Sequence, residues 1–73
     1  MTKYLITKLA EEGSEVAQAA CKHLLKRDAR SLANLRGEVA DLEAIVELLR
    51  PVIGSTTKLV RARVARERKK AKA

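Results

Sequence analysis

The sequence predicts an all-α protein whose two long helices fold back on each other as an antiparallel hairpin. Three observations lead there. Helix-forming residues dominate, with Ala, Leu and Val supplying most of the apolar material and Tyr4 as the single aromatic. Two long stretches, 3–26 and 32–50, carry apolar residues at helical spacing. Only a short polar connection parts them, and the single proline, Pro51, falls after both. A chain of 73 residues is one small domain that buries little core of its own. Cys21 has no partner for a disulfide, so self-association is expected to supply the missing core.

Residues 3–26 fit one amphipathic helix, with Thr2 as its N-cap. Leu5, Leu9, Val16 and Ala20 form one row, and Ile6, Ala10, Ala17 and Leu24 lie beside it. Gly13 falls on the same face at a cost of about 1 kcal/mol relative to Ala. Its use there predicts close approach of another backbone or a ligand. Residues 27–30 read as the connection, with Ser31 capping the next helix. The second helix, 32–50, has Leu35, Leu42, Ile45 and Leu49 as its central row, and Pro51 is expected to stop it at Arg50. So short a link makes the two helices antiparallel neighbours. Residues 52–56 form a second break, where Ser55 or Thr56 caps a third helix over 57–68 with a thin strip of Leu59, Val60 and Val64. The Lys-rich end beyond it is expected to fray.

Charge divides the chain at the same place. Residues 1–50 hold eight basic and eight acidic side chains, whereas residues 51–73 hold eight basic ones against Glu67 alone. The whole net charge of +7 therefore belongs to the last third. The expected organisation is a hairpin over 1–50 and a basic helix with its tail over 51–73. No apolar run approaches the ~20 residues that span a bilayer. The N-terminus lacks the basic-then-apolar pattern of a secretory signal, so no membrane is expected and the setting is read as cytoplasmic.

The acids of the hairpin do not all point to water. On a helical wheel Glu12 falls between Leu9 and Val16, inside the apolar row, with Glu15 at its edge about 60° away. Glu38 sits between Leu35 and Leu42, with Asp41 about 60° from it and still on the apolar side. Glu11, Glu43 and Glu47 face outward. Each inward pair has i, i+3 spacing, and the hairpin brings both pairs to within about one turn of the same level. Four converging carboxylates repel unless a cation neutralises them, which suits Mg²⁺ or Mn²⁺. The bland alternative pairs them with Lys8, Lys22 or Arg36, or leaves them in a solvated groove.

The run Lys8-Leu9-Ala10-Glu11-Glu12-Gly13-Ser14-Glu15-Val16, with Gly37-Glu38-Val39-Ala40-Asp41-Leu42, resembles the E-E-x-x-E … E-x-x-D signature of the MazG-like, all-α nucleoside triphosphate pyrophosphohydrolases. That superfamily also takes in dimeric dUTPases, dCTP pyrophosphatases and phosphoribosyl-ATP pyrophosphohydrolase. The likeness covers roughly residues 4–50. It implies a Mg²⁺-dependent enzyme, with Mn²⁺ as a substitute, that cleaves a (d)NTP to a (d)NMP and pyrophosphate. It implies Glu12, Glu15, Glu38 and Asp41 as metal ligands and catalytic carboxylates. Members build four-helix cores, so this two-helix chain would complete its bundle as a homodimer or homotetramer.

Other residues carry weaker signals. Lys8 is a candidate phosphate contact or an i, i+4 partner of Glu12, and Asn34 a candidate nucleotide contact or a polar residue at a helix start. Arg61 or Arg63 is read as reaching a substrate phosphate, in a partner subunit's site. The basic tail is otherwise a solvated helix end or a non-specific nucleic-acid contact. Cys21 borders the apolar stripe and is expected to be buried or half-buried. His23 is expected to hydrogen-bond near the hairpin end. The competing reading of the whole chain is a non-enzymatic helical interaction module whose tail engages nucleic acid or an acidic partner.

Overall fold

A computed structural model describes residues 1–72. They are almost wholly helical: α1 spans Thr2–Lys26, α2 Ala29–Leu48, α3 Arg50–Ile53 and α4 Thr57–Lys72. The all-α expectation holds, and α1 packs along α2 as a hairpin.

The turn between them is built from four residues. Arg27 takes the left-handed conformation (φ 50°) and donates its N–H to the His23 carbonyl at 2.7 Å, closing α1. Asp28, not Ser31, is the N-cap of α2, and its Oδ1 accepts the Ser31 N–H at 2.8 Å. A carboxylate three residues earlier reaches a free N–H group that a cap at Ser31 would have left bare. Ser31 Oγ donates to the Asp28 carbonyl at 3.0 Å and lies 2.8 Å from His23 Nδ1. His23 thus bonds at the hairpin end, as its position suggested, and Ser31 is buried.

Thr2 is likewise inside α1; Met1 precedes it without a side-chain cap. At the other end of the hairpin, Pro51 does not stop the helix at Arg50. The break falls at Leu49, and Arg50 opens a short turn of helix with Pro51 near its start. Proline is tolerated there because a first-turn N–H has no intrahelical acceptor to lose. Gly54 ends that turn at φ 76°, where a side chain would be strained. Arg50 Nη1 then bonds Thr56 Oγ1 at 2.8 Å, tying the hairpin's end to the start of α4. Thr56 accepts the Val60 N–H through its carbonyl at 2.8 Å, and so caps α4 as one of the two expected residues.

The core is thin. Leu5, Ala19 and Leu49 are its buried apolar residues, supported by half-buried Leu9, Val16, Leu35, Leu42 and Ile45. Of the two rows expected on α1, only the one through Leu5 and Leu9 is covered. The adjacent row of Ile6, Ala10, Ala17 and Leu24 is open, and Gly13, in line with it, has nothing within 4 Å of where a Cβ would sit. The close approach expected at Gly13 is therefore not made within the chain. Cys21 is exposed rather than half-buried, because it lies on the far side of α1 from the seam.

The described chain measures 37 × 28 × 14 Å. Helix α4 has no buried residue and no extended interface with the hairpin. It does not fray at Arg68 but continues to Lys72, and Ala73 lies outside the described residues.

The turn gives opposite expectations at adjacent positions. Arg27→Gly removes the left-handed strain and should raise stability by about 1 kcal/mol, several degrees in melting temperature. Asp28→Ala should lower it. The bond from the Ser31 N–H holds the Asp28 carboxyl below its ordinary value, so this contribution is full above that value and fades as pH falls through it. Calorimetric melts should accordingly show the wild-type advantage over Asp28→Ala at neutral pH and its loss in acid below about pH 4.

Candidate metal centre

Midway along the hairpin the covered row of α1 meets α2 at its acids. Helical geometry places Glu12 where a leucine would continue the row from Leu9, and Glu38 does the same between Leu35 and Leu42. Glu12 is 8% exposed, Glu38 half-buried and Glu15 exposed. One carboxylate oxygen from each of the three lies within 4.8 Å of the others. Glu12 Oε2 and Glu38 Oε2 are buried and have no hydrogen-bond partner.

Lys8 supplies the local positive charge. Its Nζ stands 3.3 Å from Glu11 Oε2 and 3.5 Å from Glu12 Oε1. The hydrogen bond and charge of Glu11 foremost, with Glu12 adding, hold the Lys8 ammonium above its ordinary pKa. Lys8 is thus an ion-pair partner of Glu12 in this structure, and Glu11 points outward as the wheel required. The two orphaned oxygens gain nothing from it, since Glu12 turns its other oxygen to Lys8.

Asp41 is not in the group. It is exposed, on the open side of α2 one turn from Glu38. Glu15 makes the same angular departure on α1 but has one more methylene, and its oxygen reaches the others. Asn34 lies elsewhere as well. It lines a cleft of about 270 Å³ at the hairpin turn with Lys22, Lys26, Asp28, Arg30 and Ser31. That basic cleft was not foreseen; the signal for it is the pairing of Lys22 and Lys26 with Arg30 across so short a turn. Arg61 is exposed on α4 and unconnected to the carboxylates. A concavity of about 680 Å³ along Leu59, Val60 and Val64 is lined by α4 and Thr56 alone, and is an uncovered helix face rather than a cleft.

The donor set is all oxygen, which suits a hard cation such as Mg²⁺ or Mn²⁺. Three carboxylates face one ammonium that is itself shared with Glu11, so at least two negative charges remain for a cation to neutralise. Comparison with protein-family models, with curated proteins and with solved structures finds no match. No helix among the described residues is long and apolar enough to cross a membrane.

Without a cation the clustered carboxylates repel. In chelator, Glu38→Gln should therefore melt higher than wild type by a few degrees, while Glu43→Gln on the outer face should not. Thermal scans of the three proteins in EDTA decide it; equal melting points would mean that the group carries no strain.

Proposed function

We propose that the hairpin is half of a Mg²⁺-dependent nucleotide pyrophosphohydrolase of MazG-like type, which cleaves a (d)NTP to a (d)NMP and pyrophosphate. One observation carries this reading: Glu12 Oε2 and Glu38 Oε2, from facing helices, are buried without a partner beside a third carboxylate. Buried anionic oxygens cost several kcal/mol when unpaired, and a cation is the partner that removes the cost from both at once. These residues are also three of the four that the acidic signature assigns to metal.

Bound there, Mg²⁺ supplies Lewis-acid polarisation of phosphate oxygens and an acidified water. The chain's own residues do the rest. Glu12 and Glu38, whose Oε2 atoms are buried, would hold the ion from the seam. Lys8 fixes the orientation of Glu12 through its pair at 3.5 Å. Glu15 is the member open to solvent, and is assigned as acceptor of the attacking water's proton. The water oxygen joins the α-phosphorus, the α–β anhydride bond breaks, and pyrophosphate leaves. Asp41 is assigned as a fourth carboxylate on the solvent side, and Arg61 as a phosphate contact offered by a neighbouring subunit.

A second copy completes the bundle in this reading. The chain exposes 6108 Å², whereas a compact monomer of its 8.1 kDa exposes about 4,500 Å². The excess, about 1,600 Å², is twice what one partner contributes to a standard interface. The open row of Ile6, Ala10, Gly13 and Ala17 offers small side chains along which another helix can pack closely. The competing reading, a helical interaction module, draws on the unpacked α4 and calls for no metal at the seam.

Pyrophosphate release from a panel of (d)NTPs with Mg²⁺ tests the activity. Wild type should release it, Glu38→Gln should lose on the order of 10²-fold or more, and Asp41→Asn should lose less. Mg²⁺ should also raise the melting temperature of wild type but not of Glu38→Gln. An absence of release from every nucleotide, with no thermal shift, sinks the proposal. Sedimentation should give a dimer or tetramer mass for wild type and a lower one for Ala17→Glu, which puts a charge in the open row. A monomer at tens of micromolar would rule out the shared bundle.

A further inference from the structure

We infer that α4 is a binding element for double-stranded B-form DNA, engaged through its phosphates and without sequence preference. The inference rests on α4 alone and stands whatever the hairpin does. Helix formation turns a merely basic tail into an ordered array. Over the 16 residues of α4, Lys58, Arg61, Arg63, Arg66, Arg68, Lys69, Lys70 and Lys72 occupy about 220° of the wheel. The remaining ~140° carries Val60, Val64 and Ala71 with Thr57 and Glu67 at its edges, and Leu59 stands apart among the cations. The one acid, Glu67, is spent within the helix on Lys70, at 3.3 Å. The other seven cations have no acidic partner among the described residues. Like charges three and four residues apart, as at Arg63, Arg66 and Lys69 or Lys70, destabilise an isolated helix. A polyanion converts that repulsion into binding, and four of the eight cations are arginines able to grip a phosphate by two bonds.

The chemistry of the chain narrows the polyanion. Single strands are held by aromatic stacking, and the only aromatic, Tyr4, lies on α1. No Asn or Gln on α4 is available to read adenine edges, and its cations are spread over more than half of the helix circumference rather than gathered on one edge, which suits phosphates on both sides of a groove. An α-helix of ~10–12 Å fits the B-DNA major groove of ~12 Å, whereas the A-form RNA groove is too narrow. A helix lying in a membrane surface buries a broad apolar face with aromatic anchors, whereas α4 has no aromatic residue and a narrow strip of Val60, Val64 and Ala71, with Leu59 set apart from it among the cations.

Fluorescence anisotropy with the full chain and a 20-base-pair duplex of arbitrary sequence tests this. Four to six phosphate contacts predict a slope of about −3.6 to −5.4 in log K against log salt, so affinity should fall roughly 150- to 1800-fold between 50 and 200 mM. Arg66→Glu with Lys69→Glu should weaken binding at least tenfold. Lys3→Glu with Arg36→Glu, the same charge change placed on the hairpin, should alter it less than about threefold. None of these residues is buried, and circular dichroism checks that both double variants keep their helices. DNA should also raise the helical signal of wild type. Absent binding at low salt, equal losses in the two double variants, or tighter binding to duplex RNA or to anionic phosphatidylserine vesicles would each overturn the assignment.

Discussion

Everything in the hairpin is arranged around the burial of carboxylate oxygens in an otherwise apolar seam. An apolar side chain at position 12 or 38 would extend the core that Leu5, Ala19 and Leu49 only begin. The chain instead places glutamates there, and gives up stability a 73-residue protein can ill spare. Such a sacrifice is characteristic of positions selected for what they bind rather than for what they hold together. Lys8 softens the cost without cancelling it, because one ammonium cannot face both Glu12 and Glu38.

The convergence of these acids depends in turn on the register of two helices, and the turn sets that register. Arg27 ends α1 and Asp28 begins α2 with no residue between them. Their backbone bonds, and the contact of His23 with Ser31 across the turn, leave little freedom to slide. One residue more would rotate α2 by about 100° against α1 and carry Glu38 out of the seam. The site is therefore specified twice, by the acids and by a latch two or more helical turns away from them along each helix.

Much of this was legible in the sequence, for a plain reason. Helical periodicity and the short polar connection are local signals, and they located α1, α2 and the inward orientation of Glu12 and Glu38. Details that depend on a few atoms were not. Ser31 and Asp28 are both good caps, and only the geometry of the turn gives the role to Asp28. Pro51 reads as a stop, yet it is tolerated in the first turn of a new helical segment. Asp41 and Glu15 stand at equal angles from the centre of their stripes, and side-chain length separates them. Gly13 promised a close neighbour, yet nothing in the chain lies within 4 Å of where its Cβ would sit.

The break at Gly54 has a further consequence. It parts a segment with no net charge from a helix that holds the entire surplus. Centre of charge and centre of mass then fall on different parts of the molecule, which gives it a large permanent dipole. In the field of any extended anion such a body is turned as it is drawn in, so that it arrives with α4 leading and the carboxylate seam trailing behind.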